Sequence, residues 1–208
     1  MQNSIHLLRS RRFLPIFATQ ALGAFNDSLF KQMVVLFVTY HLYSDATRET
    51  QFSAIAQGLF ILPFFLLSAT AGQLADIRDK ALLIRIIKTA EIGIMLVGGV
   101  GLYFANIPLM LTAVFAMGVH STFFGPIKYA ILPQHLRRDE VLAGTGLVEA
   151  GTYLAILGGT ALAGALAGAP KAAAFAVIGL AIVGLCTDSG VGIEMRQSKY
   201  LNHLIERD

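Results

Sequence analysis

The sequence predicts an all-α membrane protein built from six transmembrane helices. Hydrophobic residues make up 55% of the 208 residues and charged residues only 14%, with a mean hydropathy of +0.65, whereas a soluble domain has roughly 25% charged residues. So few charged side chains cannot cover the surface of a soluble core this apolar. The chain also contains six apolar stretches, most of which approach the roughly 20 residues that a bilayer-crossing helix needs.

The first apolar stretch begins at Phe13 and extends to about Tyr43, with a polar interruption at Asn26, Asp27 and Lys31. It is too long for the hydrophobic region of a signal peptide. A polar loop is predicted after it, over residues 44–51. The other five stretches are, in order, Phe52–Ala75, Leu82–Ala105, Leu109–Leu132, Leu142–Ala167 and Ala172 to about Thr187.

The distribution of Lys and Arg predicts that both ends of the chain are cytoplasmic. With that orientation, the outer segments hold only Arg48 and Lys171, and cytoplasmic loops of membrane proteins carry an excess of basic residues. We therefore predict a cytoplasmic N-terminus (1–12), a six-helix transmembrane part (13–187) and a polar cytoplasmic tail (188–208). The basic residues of the inner segments are Arg9, Arg11, Arg12, Arg78, Lys80, Arg137, Arg138, Arg196, Lys199 and Arg207.

The sequence carries no feature that points to an enzyme, a cofactor or a metal site. Phosphate-loop, nucleophile-elbow and zinc-helix motifs are absent, the five histidines are scattered, and Cys186 is the single cysteine. One cysteine cannot form a disulfide within the chain. The formal net charge is only +3, which argues against a nucleic-acid partner.

Residues 72–80, GQLADIRDK, carry the first family motif. They resemble the signature loop of the major facilitator superfamily, G-x-L-A-D-[RK]-x-G-[RK]: Gly72, Asp76 and Lys80 match in place, and Arg78 stands one position late. The resemblance implies one six-helix half of a transporter, which works with a second six-helix half, either a C-terminal half or another copy. It also implies that these four residues form a gating loop. The alternative is an ordinary polar turn.

Three further motifs resemble bacterial lysophospholipid transporters. Residues 24–28, AFNDS, resemble their A-F-x-D-N motif, with Ser28 in place of Asn, and residues 146–150, GLVEA, resemble G-L-x-E-A. A third motif in the fourth stretch, P-x-K-Y-[GA]-I-L, is matched by Pro126, Lys128 and Tyr129. The resemblance implies a multi-pass protein of the bacterial inner membrane that moves lysophospholipid, an amphiphilic small molecule, by alternating access.

Other functions remain open at this point. The chain could transport another solute, such as a drug or metabolite, within the same fold. It could be the membrane domain of a lysophospholipid acyltransferase fusion, or a truncated product or half-transporter that dimerises.

Polar residues inside the apolar stretches predict a substrate cavity. Asp27 lies about 14 residues into its helix, roughly 20 Å at 1.5 Å per residue, where a carboxylate is costly unless it is paired or faces a cavity. Lys31 lies on the same helix face, so the alternative is a self-neutralised pair. Asn26, His120 and Glu149 complete the predicted cavity.

Alternatives also stand for the remaining buried polar residues. Glu149 is predicted to pair with Lys128 or to contact substrate, and His120 is a helix contact or a proton relay. Lys88 and Glu91 are predicted to form a salt bridge at a helix boundary. Small residues at every fourth position of the fifth stretch predict a packing ridge. These are Gly151, Ala155, Gly159, Ala163 and Ala167.

Overall fold

A computed structural model describes the backbone of residues 4–10, 13–41, 46–78 and 80–205 and most side chains up to residue 187. This part of the chain is helical and contains no strand. A short 3-10 helix, Ser4–Arg9, precedes the α-helices. These are α1 (Leu14–His41), α2 (Ala46–Ile77), α3 (Lys80–Tyr103), α4 (Ile107–Ala130), α5 (Leu132–His135), α6 (Val141–Leu166) and α7 (Pro170–Ile205).

Five of these helices are long and apolar enough to cross a membrane, counting only the residues that the structure describes. They lie within α1, α2, α4, α6 and the first half of α7. The all-helical membrane fold is therefore confirmed. The third predicted span coincides with α3, which carries four charged residues in its first half and is not among the five. Six spans and cytoplasmic ends stay predictions.

One predicted boundary is wrong. Most of the predicted polar loop over residues 44–51 is helical, because α2 begins at Ala46. Glu49 lies in the first turn of α2, where a carboxylate interacts favourably with the positive end of the helix dipole. The last predicted span, Ala172 to about Thr187, agrees with the apolar first half of α7, and the helix itself continues to Ile205. Residues 1–3 and 206–208, with Arg11 and Arg12, lie outside the described residues.

The turn between α3 and α4 is tight and capped. Asn106 lies at the N-cap of α4, where its side chain accepts a hydrogen bond from the backbone N–H of Leu109 at 3.2 Å. Pro108 occupies the first turn of α4, where a missing N–H costs nothing. This short connection makes α3 and α4 antiparallel neighbours.

The apolar core is divided into two clusters. The first contains the buried apolar residues of α1 between Leu29 and Val38, together with Met95 of α3 and Met117 of α4. The second lies at the other end of the bundle and contains Phe13 and Ile16 of α1. Between these clusters, α1, α3 and α4 each contribute a run of polar side chains. The polar residues are therefore held in a layer between two blocks of apolar packing.

The predicted packing ridge of small residues lies in α6 and faces α1. A Cβ atom added at Gly159 would overlap the carbonyl oxygen of Phe25 and lie 3.1 Å from the backbone N of Leu29. A Cβ atom at Gly151 would overlap the ring of Phe17. Both glycines and Ala163 are buried, which confirms the ridge at these three positions. Because Gly151 faces Phe17 and Gly159 faces Phe25, α1 and α6 run parallel.

We expect Gly159→Ala to lower the free energy of unfolding by about 1–3 kcal/mol, the usual cost of overpacking, because the methyl group would separate α1 from α6. Circular dichroism of the detergent-solubilised protein during unfolding measures this change. Gly164→Ala is the matched control, since nothing lies within 4 Å of a Cβ atom at that position of the same helix. Equal stability of the two variants would contradict the close approach.

Candidate functional site

The polar layer contains a group of side chains that we call the deep polar cluster: Asp27, Lys88, Glu91, His120 and Ser121. Asp27 comes from α1, Lys88 and Glu91 from α3, and the other two from α4. Each helix places its residues between the two apolar clusters. Lys88, Glu91 and His120 are buried, whereas Asp27 and Ser121 are partly exposed.

Lys88 and Glu91 form a buried ion pair. Lys88 Nζ donates to Glu91 Oε2 at 2.7 Å, and the two side chains are only 1% and 3% exposed. The predicted salt bridge between Lys88 and Glu91 is therefore present, but it is buried inside the bundle and does not lie at a helix boundary. Gly23 of α1 makes room for this pair, because a Cβ atom there would lie 2.8 Å from Lys88 Nζ. The small residue allows a charged side chain of α3 to contact α1 directly.

His120 lies beside this ion pair. Its Nε2 is 3.5 Å from Glu91 Oε2, and its ring stacks on Phe124 at 6.0 Å between centroids. Lys88 Nζ lies over the same Phe124 ring, 4.9 Å from the centroid. Neither imidazole nitrogen has a hydrogen-bond partner. Glu91 therefore contacts a permanent cation on one side and a titratable base on the other.

Asp27 completes the deep polar cluster from α1. Its Oδ2 accepts a hydrogen bond from Ser121 Oγ at 3.2 Å, whereas its Oδ1 is buried without a partner. Lys31 does not neutralise this carboxylate, because Lys31 and Asp27 form no ion pair. The Lys31 Nζ lies instead over the Phe60 ring, 4.8 Å from its centre. The alternative of a self-neutralised Asp27–Lys31 pair is therefore not realised.

Asn26 lies beside Asp27 in sequence but is fully buried, and neither atom of its amide group has a hydrogen-bond partner. An unpartnered buried amide costs about 1–3 kcal/mol. Asn26 therefore brings an unpartnered amide nitrogen and an unpartnered amide oxygen to the polar layer, and neither atom is exposed at the surface of the chain.

A second polar group, which we call the Lys128 cluster, consists of Gln20, Lys128, Tyr129, Glu149 and Thr152. Lys128 Nζ lies 3.4 Å from Glu149 Oε1 and 2.8 Å from Thr152 Oγ1. The Tyr129 hydroxyl donates to the same Glu149 oxygen, and Gln20 Nε2 donates to the Lys128 carbonyl at 3.3 Å. The predicted pairing of Glu149 with Lys128 is confirmed. These contacts join α1, α4 and α6.

A small cavity of about 20 Å³ lies next to the Lys128 cluster. That volume accommodates about one water molecule. Thr19 Oγ1 and Gln20 Oε1 are buried and have no hydrogen-bond partner. The residues that line the cavity are Ile16, Thr19, Gln20, Ile84, Phe124, Lys128 and Ile131.

The five residues predicted for one substrate cavity do not form a single site. Asp27 and His120 lie in the deep polar cluster, with Asn26 and Lys31 on the same stretch of α1. Glu149 belongs to the Lys128 cluster, ten residues before Gly159, which packs at the level of Phe25. At 1.5 Å per residue this is roughly 15 Å along the bundle. Of the two alternatives left open for Glu149, the structure shows the contact between helices, and it places Glu149 away from Asp27.

The predicted gating loop lies at the end of α2. Asp76 and Arg78 are exposed there, and the backbone N–H of Arg78 donates to the Leu74 carbonyl at 3.1 Å. Nothing lies within 4 Å of a Cβ atom at Gly72. The side chain of Lys80 lies outside the described residues. Pro126 lies inside α4, as Pro63 lies inside α2.

Sequence reasoning missed Ser121, Gln20 and Thr152 as partners. Each is a small or neutral polar residue without a motif of its own, and only tertiary packing brings it to a charged group. Only a weak indication in the sequence pointed to the burial of Lys88 and Glu91. Both residues lie more than two turns after the start of α3, well inside the helix and not at its end.

We expect Lys88→Met to destabilise the protein by about 3–5 kcal/mol, because Glu91 would keep a buried charge without its cation. The double variant Lys88→Met/Glu91→Leu should recover most of that loss, since it removes both charges. Unfolding followed by circular dichroism measures both effects. Lys171→Met is the control at an exposed lysine. A single variant as stable as the control would show that the pair is not buried.

Comparison with known proteins agrees with this architecture. Residues 13–187 match a family described as transmembrane secretion effector. The chain is 30% identical over 177 residues to the lysophospholipid transporter LplT of Cronobacter sakazakii, which covers 85% of the chain and 42% of that protein. It is 29% identical over 170 residues to LplT of Serratia proteamaculans, covering 82% of the chain and 40% of the relative. No solved structure matches.

The chain thus spans about two fifths of the length of the curated relatives that it matches. The match nevertheless includes every helix that carries the two polar clusters, from α1 to the first half of α7. Lysophospholipid transporters are thus among the proteins to which the chain is similar, and the chain belongs to the transmembrane secretion effector family of the major facilitator superfamily.

Proposed function

We propose that the protein moves lysophospholipid across the bacterial inner membrane by alternating access, as one six-helix half of a transporter. The observation that carries this proposal is the similarity over 85% of the chain to a protein named as a lysophospholipid transporter. The polar layer inside an apolar bundle supports it. A lysophospholipid needs apolar walls for its acyl chain and a few polar groups for its headgroup.

Asp27 is the residue that we assign to the headgroup. Its Oδ1 is buried and accepts no hydrogen bond within the chain, so a donor on the substrate can use it. Lys31, one helical turn further on, leaves its ammonium group over the Phe60 ring and is only partly buried. A headgroup that displaces this cation–π contact gains a cationic partner.

A second six-helix half completes the proposed transporter, either a C-terminal half or another copy of this chain. Transporters of this superfamily place the substrate between two halves. Large apolar side chains on α2 and α6 are exposed, among them Phe65, which is 82% exposed, and Leu142, which is 86% exposed. Such faces contact either lipid or the second half. We further propose that Gly72, Asp76, Arg78 and Lys80 gate the cytoplasmic side.

The proposed topology has six spans with both ends in the cytoplasm, so that α3 crosses the membrane. In a Cys186→Ser background, we expect Phe104→Cys to react with a membrane-impermeant maleimide on intact cells. Ile77→Cys should react only after permeabilisation. Both positions are exposed and flank α3. Labelling of both positions from the same side would exclude a crossing by α3.

We expect Asp27→Asn to reduce the initial rate of lysophospholipid uptake by about tenfold, because a hydrogen bond to a charged group contributes about 1.5–3 kcal/mol. Proteoliposomes that contain the purified 208-residue chain, supplied with fluorescent lysophosphatidylethanolamine, measure this rate. Fluorescence quenching from outside separates transported lipid from lipid in the outer leaflet.

The matched control is Asp139→Asn, which makes the same chemical change at an exposed position between α5 and α6. It should transport like the unaltered protein. Unchanged uptake by Asp27→Asn would remove this residue from the headgroup site. Competition by unlabelled drugs or metabolites, without competition by lysophospholipid, would instead favour a transporter of another solute.

A further inference from the structure

Two tyrosine rings are exposed on the bundle at the level of the Lys128 cluster. Tyr129 of α4 is 43% exposed and Tyr153 of α6 is 64% exposed, and the two side chains are close enough to interact electrostatically. The Tyr129 hydroxyl donates to Glu149, which lies four residues before Tyr153 and therefore on the same side of α6. These three residues form one continuous surface, which we call the tyrosine surface: Tyr129, Glu149 and Tyr153.

The tyrosine surface lies well inside the length of α6. Glu149 and Tyr153 are about 8 and 12 residues after Val141, the first residue of this helix, which is roughly 12 and 18 Å at 1.5 Å per residue. The helix has 26 residues, so Tyr153 is near its middle. A charged side chain at such a depth faces the interior of a bundle or a polar cavity and not hydrocarbon, and Glu149 is 35% exposed. The tyrosine surface is therefore not a lipid-facing surface.

The contacts of Lys128 show which chemical group the tyrosine surface attracts. The Lys128 ammonium group lies 5.3 Å from the centre of the Tyr129 ring and 3.4 Å from Glu149 Oε1. Ammonium groups are attracted both to the faces of aromatic rings and to carboxylates. Lys128 reaches these partners from inside the bundle, because its side chain is only 12% exposed.

The outer side of the same groups is available to a ligand. The contact with Lys128 and the hydrogen bond from Tyr129 both use Glu149 Oε1, so Glu149 Oε2 takes part in neither. Thr152 Oγ1 lies 2.8 Å from Lys128 Nζ and holds the lysine on the inner side. Among the described residues, the Tyr153 ring makes no contact with another ring or with a cation.

We propose that the tyrosine surface binds the ammonium group of a lysophospholipid headgroup. The inference rests on the proposed function and adds a second headgroup position to it, roughly 15 Å along the bundle from the level of Asp27. In the proposed topology α6 begins in the cytoplasm, so this second position lies on the cytoplasmic side of Asp27. The ammonium group donates to Glu149 Oε2 and lies against the rings of Tyr129 and Tyr153.

The charges of a zwitterionic headgroup complement those of the Lys128 cluster. An ammonium group at Glu149 brings with it the phosphate to which it is covalently linked, and the charge of Lys128 offsets the charge of that phosphate. A phosphoglycerol headgroup offers only hydroxyl groups to the same carboxylate, and it gains no cation–π contact with the rings. Leu157, one turn after Tyr153, is 66% exposed and provides an apolar surface for the acyl chain. The tyrosine surface therefore selects ethanolamine over glycerol headgroups.

Equilibrium binding to the purified 208-residue chain in detergent tests this selectivity without transport. The probes are lysophosphatidylethanolamine and lysophosphatidylglycerol with the same acyl chain, and native mass spectrometry counts the bound lipid. We expect the ethanolamine lipid to bind about tenfold more tightly, because only its ammonium group gains the carboxylate and the ring faces.

Substitutions in the tyrosine surface should reduce this preference. In Tyr153→Leu we expect it to fall to about threefold or less, since one ring face is lost, whereas Tyr153→Phe should retain most of it because the ring remains. Glu149→Gln, which keeps an acceptor for the Tyr129 hydroxyl, should lower the preference in the same direction. Circular dichroism verifies that each variant has the helicity of the unaltered chain.

Tyr40→Leu is the matched control, because Tyr40 is a tyrosine of similar exposure, 69%, at the end of α1. It should bind both lipids like the unaltered chain. A preference that is unchanged in Tyr153→Leu or in Glu149→Gln would overturn the ammonium site and leave the proposed function intact.

Two further outcomes concern the identity of the ligand. Binding of neither lipid would overturn the proposed function together with this inference. Glycerophosphoethanolamine, which has the same headgroup but no acyl chain, is added as a competitor. If it displaces lysophosphatidylethanolamine at equal concentration, a soluble amine is the ligand and the assignment to a lipid headgroup is overturned.

Discussion

The burial of charged side chains inside an apolar helix bundle is the constraint on which the rest of this structure depends. Lys88 and Glu91 are almost completely buried and lie 2.7 Å apart, so that each side chain is the counter-ion of the other. Their position fixes others. Gly23 must be small for Lys88 to reach α1, and the ring of Phe124 lies against both Lys88 and His120. The two apolar clusters lie on either side of this layer.

Much of the fold follows from the sequence, because its causes are local. Each of the six apolar stretches is helical in the structure, and the four-residue spacing of Gly151, Gly159 and Ala163 predicts the face that packs on α1. The pairing of Lys128 with Glu149 was one of two alternatives that the sequence left open, and the structure shows this pairing. Where prediction failed at a boundary, the reason was also local: residues 47–51 are polar but lie in the first turns of α2.

The deep polar cluster was less accessible to sequence reasoning, because its contacts are set by tertiary packing. Asp27 and Lys31 have the spacing of an ion pair within one helix, yet Phe60 of α2 holds the Lys31 ammonium. Lys88 and Glu91 have the spacing of a surface pair, but three helices enclose them. A helical sequence predicts which residues share a face. It does not determine which neighbouring helix covers that face.

The unused hydrogen-bonding capacity of the described side chains is concentrated on two helices. Thr19, Gln20, Asn26 and Asp27 of α1 and His120 of α4 hold the buried polar atoms without partners. Each such group lowers stability by about 1–3 kcal/mol, so apolar side chains would give a more stable bundle at these positions. Two of these residues, Gln20 and Asp27, also bond α4, through the Lys128 carbonyl and the Ser121 hydroxyl, whereas on the α1–α6 contact Ser28 bonds Thr160 at 3.0 Å. A bundle with a firmly bonded α1–α6 pair and incompletely bonded polar side chains between α1 and α4 can take up a polar ligand at the second without disturbing the first.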